Sequence, residues 1–197
     1  FLYLGWTRVQ NPNGTTNMDF EFNQSDQIST NNVTPVRSHG DVLIEYKLAK
    51  GGDTPIIYAY KWNDGSSTEE PEFAGCEGSA SYPCWSARVA LTDNASAAGS
   101  VISVDITDLD GYALTPYSFG EAAIDLTNAG LFTEGECTTF GSAYLKSRSS
   151  DSFTAALKDF IAPLEINLSN CGQFTVVKQT ENDAEGDFDF TVAPGAG

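Results

Sequence analysis

The stretch Asn17–Gln24, "NMDFEFNQ", constrains this chain more than any other. Met18, Phe20 and Phe22 alternate strictly with Asp19, Glu21 and Asn23. A period of two is the signature of a strand with chemically opposite faces. Similar runs recur: "DVLIEYKLA", "PIIYAYKWN", "WSARVALT", "GSVISVDIT", "EAAIDLT", "FGSAYLKSR" and "PLEINLSN". Gly, Asn, Ser, Thr and Asp punctuate them, as in all-β proteins. Many short strands with polar loops predict a two-sheet sandwich of the jelly-roll or laminin-G kind. One segment departs from the pattern. In "SSDSFTAALKDFIAP", Ser152 caps a short predicted helix with Phe153, Leu157, Phe160 and Ile161 on one side, ending before Pro163. An extended reading of this segment stays open.

At 197 residues the chain is long enough for one sandwich-sized domain with a core of its own. No run of about 18 apolar residues is present, so no membrane-spanning helix is expected. The start, "FLYLGWTRVQ", reads as a strand already under way, and the chain is expected to be a processed form or a fragment. Acidic side chains number 27 against 10 basic ones, a net charge of -17. That balance argues against nucleic acid, which needs a basic stripe, and against anionic lipid. Solubility and self-repulsion account for it more simply than calcium collection does.

Four cysteines, Cys76, Cys84, Cys137 and Cys171, contain no C-x-x-C pair, and His39 is the one histidine. Zinc is therefore not expected, and neither is a Cys–His nucleophile. Two disulfides in an oxidising compartment are the natural reading. Cys76 and Cys84 bracket a short loop and are expected to pair, which leaves Cys137 for Cys171; spacing alone permits three connectivities.

Three candidate sites follow. Asp19 and Glu21 lie on one strand face, about 7 Å apart. Paired acids with aromatic platforms, here Trp62 and Trp85 with Trp6, can bind or cleave glycans. Against this stands a structural role, with the carboxylates solvated or held by Arg8 or Arg37. The E-x-D-x-x-E pattern of sandwich glycosidases is absent, and the chain is not expected to be an enzyme. Second, "DITDLDG" places oxygens of Asp105, Thr107, Asp108 and Asp110 around a turn that Gly111 lets bend, a candidate calcium loop that lacks an EF-hand's twelfth-position Glu. A polar turn is the competing reading, and no cofactor is required. Third, Lys146, Arg148 and Lys158 are three of the ten basic residues. In so acidic a chain they are expected to pair internally, an arginine fork gripping a carboxylate on a neighbouring strand.

The stretches "LGWTRVQNPNGTTNMDFEFNQ", "GDVLIEYKL" and above all "FGSAYLKSRSSDSFTAALKDFIAP" resemble an uncharacterised N-terminal β-sandwich domain. It belongs to large secreted surface proteins of Gram-positive, actinobacterial-type bacteria. The likeness covers residues 1–172. It implies a non-catalytic cell-surface domain for adhesion or display, whose partner is a host or matrix ligand or a glycan. In such proteins prealbumin-like (collagen-adhesin B-type) repeats follow. Residues 173–197, "QFTVVKQTENDAEGDFDFTVAPGAG", are similar to the first hairpin of one, and Lys178 stands where its isopeptide lysine would be. The alternative for this hairpin is assembly: an unpaired strand completing the sheet of another copy, so that the chain is a filament subunit.

Overall fold

Alternation along β2 sets the layering of the whole molecule. The computed structural model describes residues 1–8, 15–48, 54–66, 71–79, 81–133, 135–153 and 155–172. Among them the regular secondary structure is all β-strand apart from one 3-10 turn at Pro71–Phe73. The larger sheet runs β12 (Leu157–Ser169), β11 (Thr139–Arg148), β2 (Thr16–Asn23), β3 (Val42–Leu48), β4 (Ile56–Asn63) and β5 (Cys84–Trp85); β6 (Val89–Ala90) also pairs with β4. The smaller sheet is β1 (Leu2–Thr7), β10 (Phe119–Ile124) and β7 (Ala97–Val101), and β8 (Ile106–Thr107) and β9 (Ala113–Leu114) form a separate hairpin. All of these pairings are antiparallel. The two sheets form the sandwich-like arrangement that the alternation predicts.

Register assigns each face. Met18, Phe20 and Phe22 stand opposite Tyr46, Ile44 and Val42. They share a core with Leu2 and Trp6 of β1 and Ala122 and Ile124 of β10. Trp6 meets Tyr46 edge-on at 5.4 Å, and the Tyr46 hydroxyl donates across the sandwich to the Ser100 carbonyl (2.5 Å). Below β10, Leu126, Leu131 and Phe132 fold back to close one end of the core, where Phe132 stacks on Phe140 at 5.9 Å.

The helix expected from Ser152 does not form. Leu157 instead opens β12, which pairs along β11 from Arg148 to Thr139 with three register shifts. A short amphipathic helix gains stability only by burying its apolar stripe. Leu157, Phe160 and Ile161 each remain about half exposed, so no core receives that stripe, and the β11 ladder satisfies the backbone instead. Phe153 alone packs inward, edge-on to Tyr60 at 5.0 Å.

Both expected disulfides are present. Cys76–Cys84 (Cα–Cα 5.7 Å) closes the loop before β5, and Cys137–Cys171 (4.8 Å) staples the start of β11 to the end of β12. The C-terminal hairpin of residues 173–197, with Lys178, lies outside the described residues.

Gly120 shows how closely the Trp6 ring lies over the neighbouring strand of its own sheet. A Cβ added there would stand 2.4 Å from Trp6 Cζ2, whereas one added at Gly5 on the paired strand meets nothing within 4 Å. Gly120→Ala is expected to cost about 1–3 kcal/mol in urea unfolding, as overpacking does. Gly5→Ala should leave the midpoint nearly unchanged.

Candidate functional site

The polar residues of β2 do not face water. Asn17, Asp19, Glu21 and Asn23 are fully buried beneath the larger sheet's second face, although that face carries no smaller sheet. Register brings Glu45 beside Asp19 from β3, and Lys146 and Tyr144 beside Asp19 and Glu21 from β11. Tyr60 and Trp62 of β4 extend the row. Side chains from the connecting segments close over it: Arg37, Asp151 and Phe153. Because Lys, Arg, Asp and Glu are almost never fully buried unless paired, each charge here needs a partner.

Arg148 supplies the first. Its Nε and Nη2 donate to the two oxygens of Asp19 (2.6 and 3.1 Å), and Nη1 donates to the Asp151 carbonyl (2.7 Å). The same Nη2 lies 3.0 Å from Glu45 Oε1, and the guanidinium rests over the Phe153 ring at 4.6 Å. Tyr60 donates its hydroxyl to the other Glu45 oxygen. Burial opposes the charge on Arg148, but Asp19 more than offsets this and its pKa rises. Burial also pushes the Glu45 carboxyl up, against the Tyr60 hydrogen bond and the Arg148 charge, which pull it down. The Tyr60 phenol is driven upward by burial and then by Glu45.

Glu21 holds a second fork. Arg37 Nε and Nη2 donate to its two oxygens at 2.6 and 2.9 Å, and Lys146 Nζ adds a bond at 3.3 Å. Arg37 in turn lies over Trp62 and Trp85, 5.0 and 5.5 Å from their rings, and these two meet edge to face at 5.2 Å. Farther along, Lys47 pairs with Asp151, which also accepts from Asn17 Nδ2 (3.3 Å). Asp41 accepts backbone N–H groups of Gln24 (2.9 Å) and Ser38 (2.7 Å). With its nitrogen turned toward the acids, the Asn23 carboxamide bridges Asp41 and Glu21 at 3.1 and 3.0 Å. Burial still raises Asp41 to about 6.

The structure thus gathers Asp19, Glu21, Trp62 and Trp85 and shuts the carboxylates away. Every oxygen of Asp19 and Glu21 is taken by a cation, and neither side chain meets solvent. Glycoside hydrolysis needs one acid free to protonate the leaving oxygen and another open to the sugar or a water. In this arrangement neither is open. The tryptophans face each other and Arg37 rather than forming a bare stacking platform. Arg8 serves elsewhere, donating to the Tyr117 carbonyl (2.7 Å) and Thr16 (3.3 Å).

Asp105, Thr107, Asp108 and Asp110 lie on the β8–β9 hairpin. Asp108 spends Oδ1 on the N–H groups of Asp110 (3.0 Å) and Tyr112 (2.8 Å), and Gly111 takes φ +85°. Among the described residues no three Asp, Glu, His or Cys side chains gather to hold a metal ion. Glu45, Lys47, Tyr60, Asp41, Tyr144 and Asp151 belong to this face and were not singled out from sequence. The signal for two of them was there, because Glu45 and Lys47 interrupt "VLIEYKL" at alternate positions.

No protein-family model, curated protein or solved structure matches this chain.

Removing one side of a buried pair strands the other charge, so Arg148→Ala is expected to destabilise by about 3–5 kcal/mol in urea. Adding Asp19→Asn should restore part of that loss, read as a coupling in the double-mutant cycle. Asp41 and Glu45 bind protons more tightly folded than unfolded. Their contribution is therefore complete below the unfolded carboxyl pKa and lost as pH rises, for Asp41 through about 6. Stability should rise as pH falls from 7.5 toward 5. Asp41→Asn should flatten that slope in melts across the range.

Proposed function

We propose that this chain is a non-catalytic extracellular domain for adhesion or surface display, with a host, matrix or glycan ligand. The observation that supports it most is the closure of the ionic face. The best catalytic pair in the sequence, Asp19 and Glu21, is committed to Arg148, Arg37 and Lys146. Such an arrangement suits holding a sheet together, not turning over a substrate. Two disulfides fit an oxidising, extracellular setting, and among the described residues no helix is long and apolar enough to cross a membrane. A charge of -17 suits a molecule that must stay dispersed outside the cell. Resemblance to secreted bacterial surface proteins points the same way, to a cell-surface location. A calcium ion at Asp105, Thr107, Asp108 and Asp110 would be an accessory to this reading.

The test is a panel of immobilised glycans and extracellular-matrix proteins, run beside a hydrolysis assay on the same glycans. Saturable binding without release of reducing sugar is expected. Sugar release that disappears in Glu21→Gln, with folding confirmed by circular dichroism, would replace this reading with a glycosidase.

A further inference from the structure

Leu109 is the most exposed of the large apolar side chains among the described residues, at 106%. It stands at the tip of the β8–β9 hairpin, an arm formed by the chain between β7 and β10. The arm is rooted in the smaller sheet. Ile102 N–H donates to the Phe119 carbonyl (3.1 Å) and Tyr117 N–H to the Ile102 carbonyl (2.8 Å), which carries the β7–β10 ladder outward. Arg8, just after β1, grips the returning chain at the Tyr117 carbonyl. The tip is closed by its own backbone. Gly111 N–H donates to the Asp108 carbonyl (3.1 Å), and Asp108 N–H donates to the Tyr112 carbonyl (3.0 Å). Gly111, at φ +85°, supplies the left-handed residue of a three-residue hairpin loop. With Asp108 Oδ1 accepting two further N–H groups of the turn, Leu109 is presented on a fixed frame, and docking it costs little ordering entropy.

Register gives the arm an apolar side. Ile106 stands opposite Leu114, and residues opposed in an antiparallel ladder share a face. Tyr112, two residues before Leu114 and 70% exposed, joins that face. Asp105 and Asp110 flank this wedge, and both are exposed. No Lys, Arg or His occurs between Arg88 and Lys146, so nothing within the arm neutralises them.

We propose that the β8–β9 hairpin is the docking element of the domain, and that its occupant is a protein whose apolar pocket, rimmed with Lys and Arg, receives Leu109 and Tyr112. This names the ligand class for the adhesion reading above and rests on that reading. Charge selects the occupant. A second copy of this chain carries -17 and is repelled, and nucleic acid and anionic lipid are repelled for the same reason. A branched aliphatic tip offers a glycan no hydrogen bond, whereas it fills a protein pocket as a buried anchor does. Asp105 and Asp110 at the rim steer the encounter, and the desolvated Leu109 sets how long the complex lasts.

Surface plasmon resonance of the whole chain over immobilised fibronectin, laminin and collagen, beside the glycan panel, tests it. Saturable binding to at least one of the three proteins is expected. Leu109→Ser should weaken it at least about tenfold through faster dissociation, although the charge is unchanged. Tyr112→Ser should act in the same direction. Asp105→Asn with Asp110→Asn should slow association and flatten its dependence on salt. Thermal melts should not move in these variants, because all four side chains are exposed. Leu157→Ser removes an exposed leucine from β12 and should bind as the parent chain does; an equal loss there would assign the binding to general stickiness and overturn the proposal. Protein binding that Leu109→Ser leaves unchanged overturns it too while the adhesion reading stands, and so does binding to glycans alone. Self-association that Leu109→Ser abolishes, read by light scattering, overturns it in favour of a second copy. Binding to neither proteins nor glycans overturns both this proposal and the adhesion reading.

Discussion

The fork of Arg148 on Asp19 is the interaction around which the larger sheet is arranged. One guanidinium, buried to its tip, ties β11 to β2, reaches Glu45 on β3, and fixes the segment after β11 through the Asp151 carbonyl. Phe153 is carried in by that segment and covers the guanidinium. The second fork, Arg37 on Glu21, does the same for the segment between β2 and β3, and places its cation over two tryptophans. Buried pairs of this kind need not add net stability, since desolvation consumes much of the attraction. Their effect is on register. A strand that slipped by one residue would turn Asp19, Glu21 and Asn23 into the hydrophobic core and Phe20 and Phe22 onto the cations.

The sheet is thus buried on both faces by different chemistry. One face meets the smaller sheet through Trp6, Tyr46 and Phe20; the other is closed by its own ion pairs and by aromatic side chains from loops. This dual burial explains why a chain with an acidic excess of this size still folds around a single large sheet. Several of its ten basic residues are spent on the buried Asp19 and Glu21 and on the partly exposed Asp151, which leaves the remaining acids to dominate the surface.

Much of this was legible in the sequence, and the illegible part has a physical cause. The strict alternation of β2 announced two chemically opposite faces, and the eight-residue spacing of Cys76 and Cys84 announced their bridge. An arginine fork gripping a carboxylate on a neighbouring strand was expected of the "YLKSRSS" region, and Arg148 makes one with Asp19. Alternation, however, reports only that a face is polar. It does not report whether water or a cation satisfies it, because that depends on which distant strand lies opposite. Arg148 and Asp19 are 129 residues apart, and no local pattern links them. The helix expected at Ser152 failed for a related reason. Phe153, Leu157, Phe160 and Ile161 fit a helical stripe, but the neighbouring β11 offered a ladder and no core received the stripe. A long-range partner decided between two locally acceptable conformations.

The Cys137–Cys171 bridge also bears on how the molecule carries mechanical load. Tension entering through residue 172 passes straight across the sulfurs to Cys137, so the β11–β12 hairpin cannot be peeled open from that side. The 34 residues of separation held behind the bridge amount to about 110–120 Å of extended chain that a pull cannot draw out while the bond lasts. A reducing milieu would turn that withheld length into slack, and the domain would change from a rigid link into an extensible one.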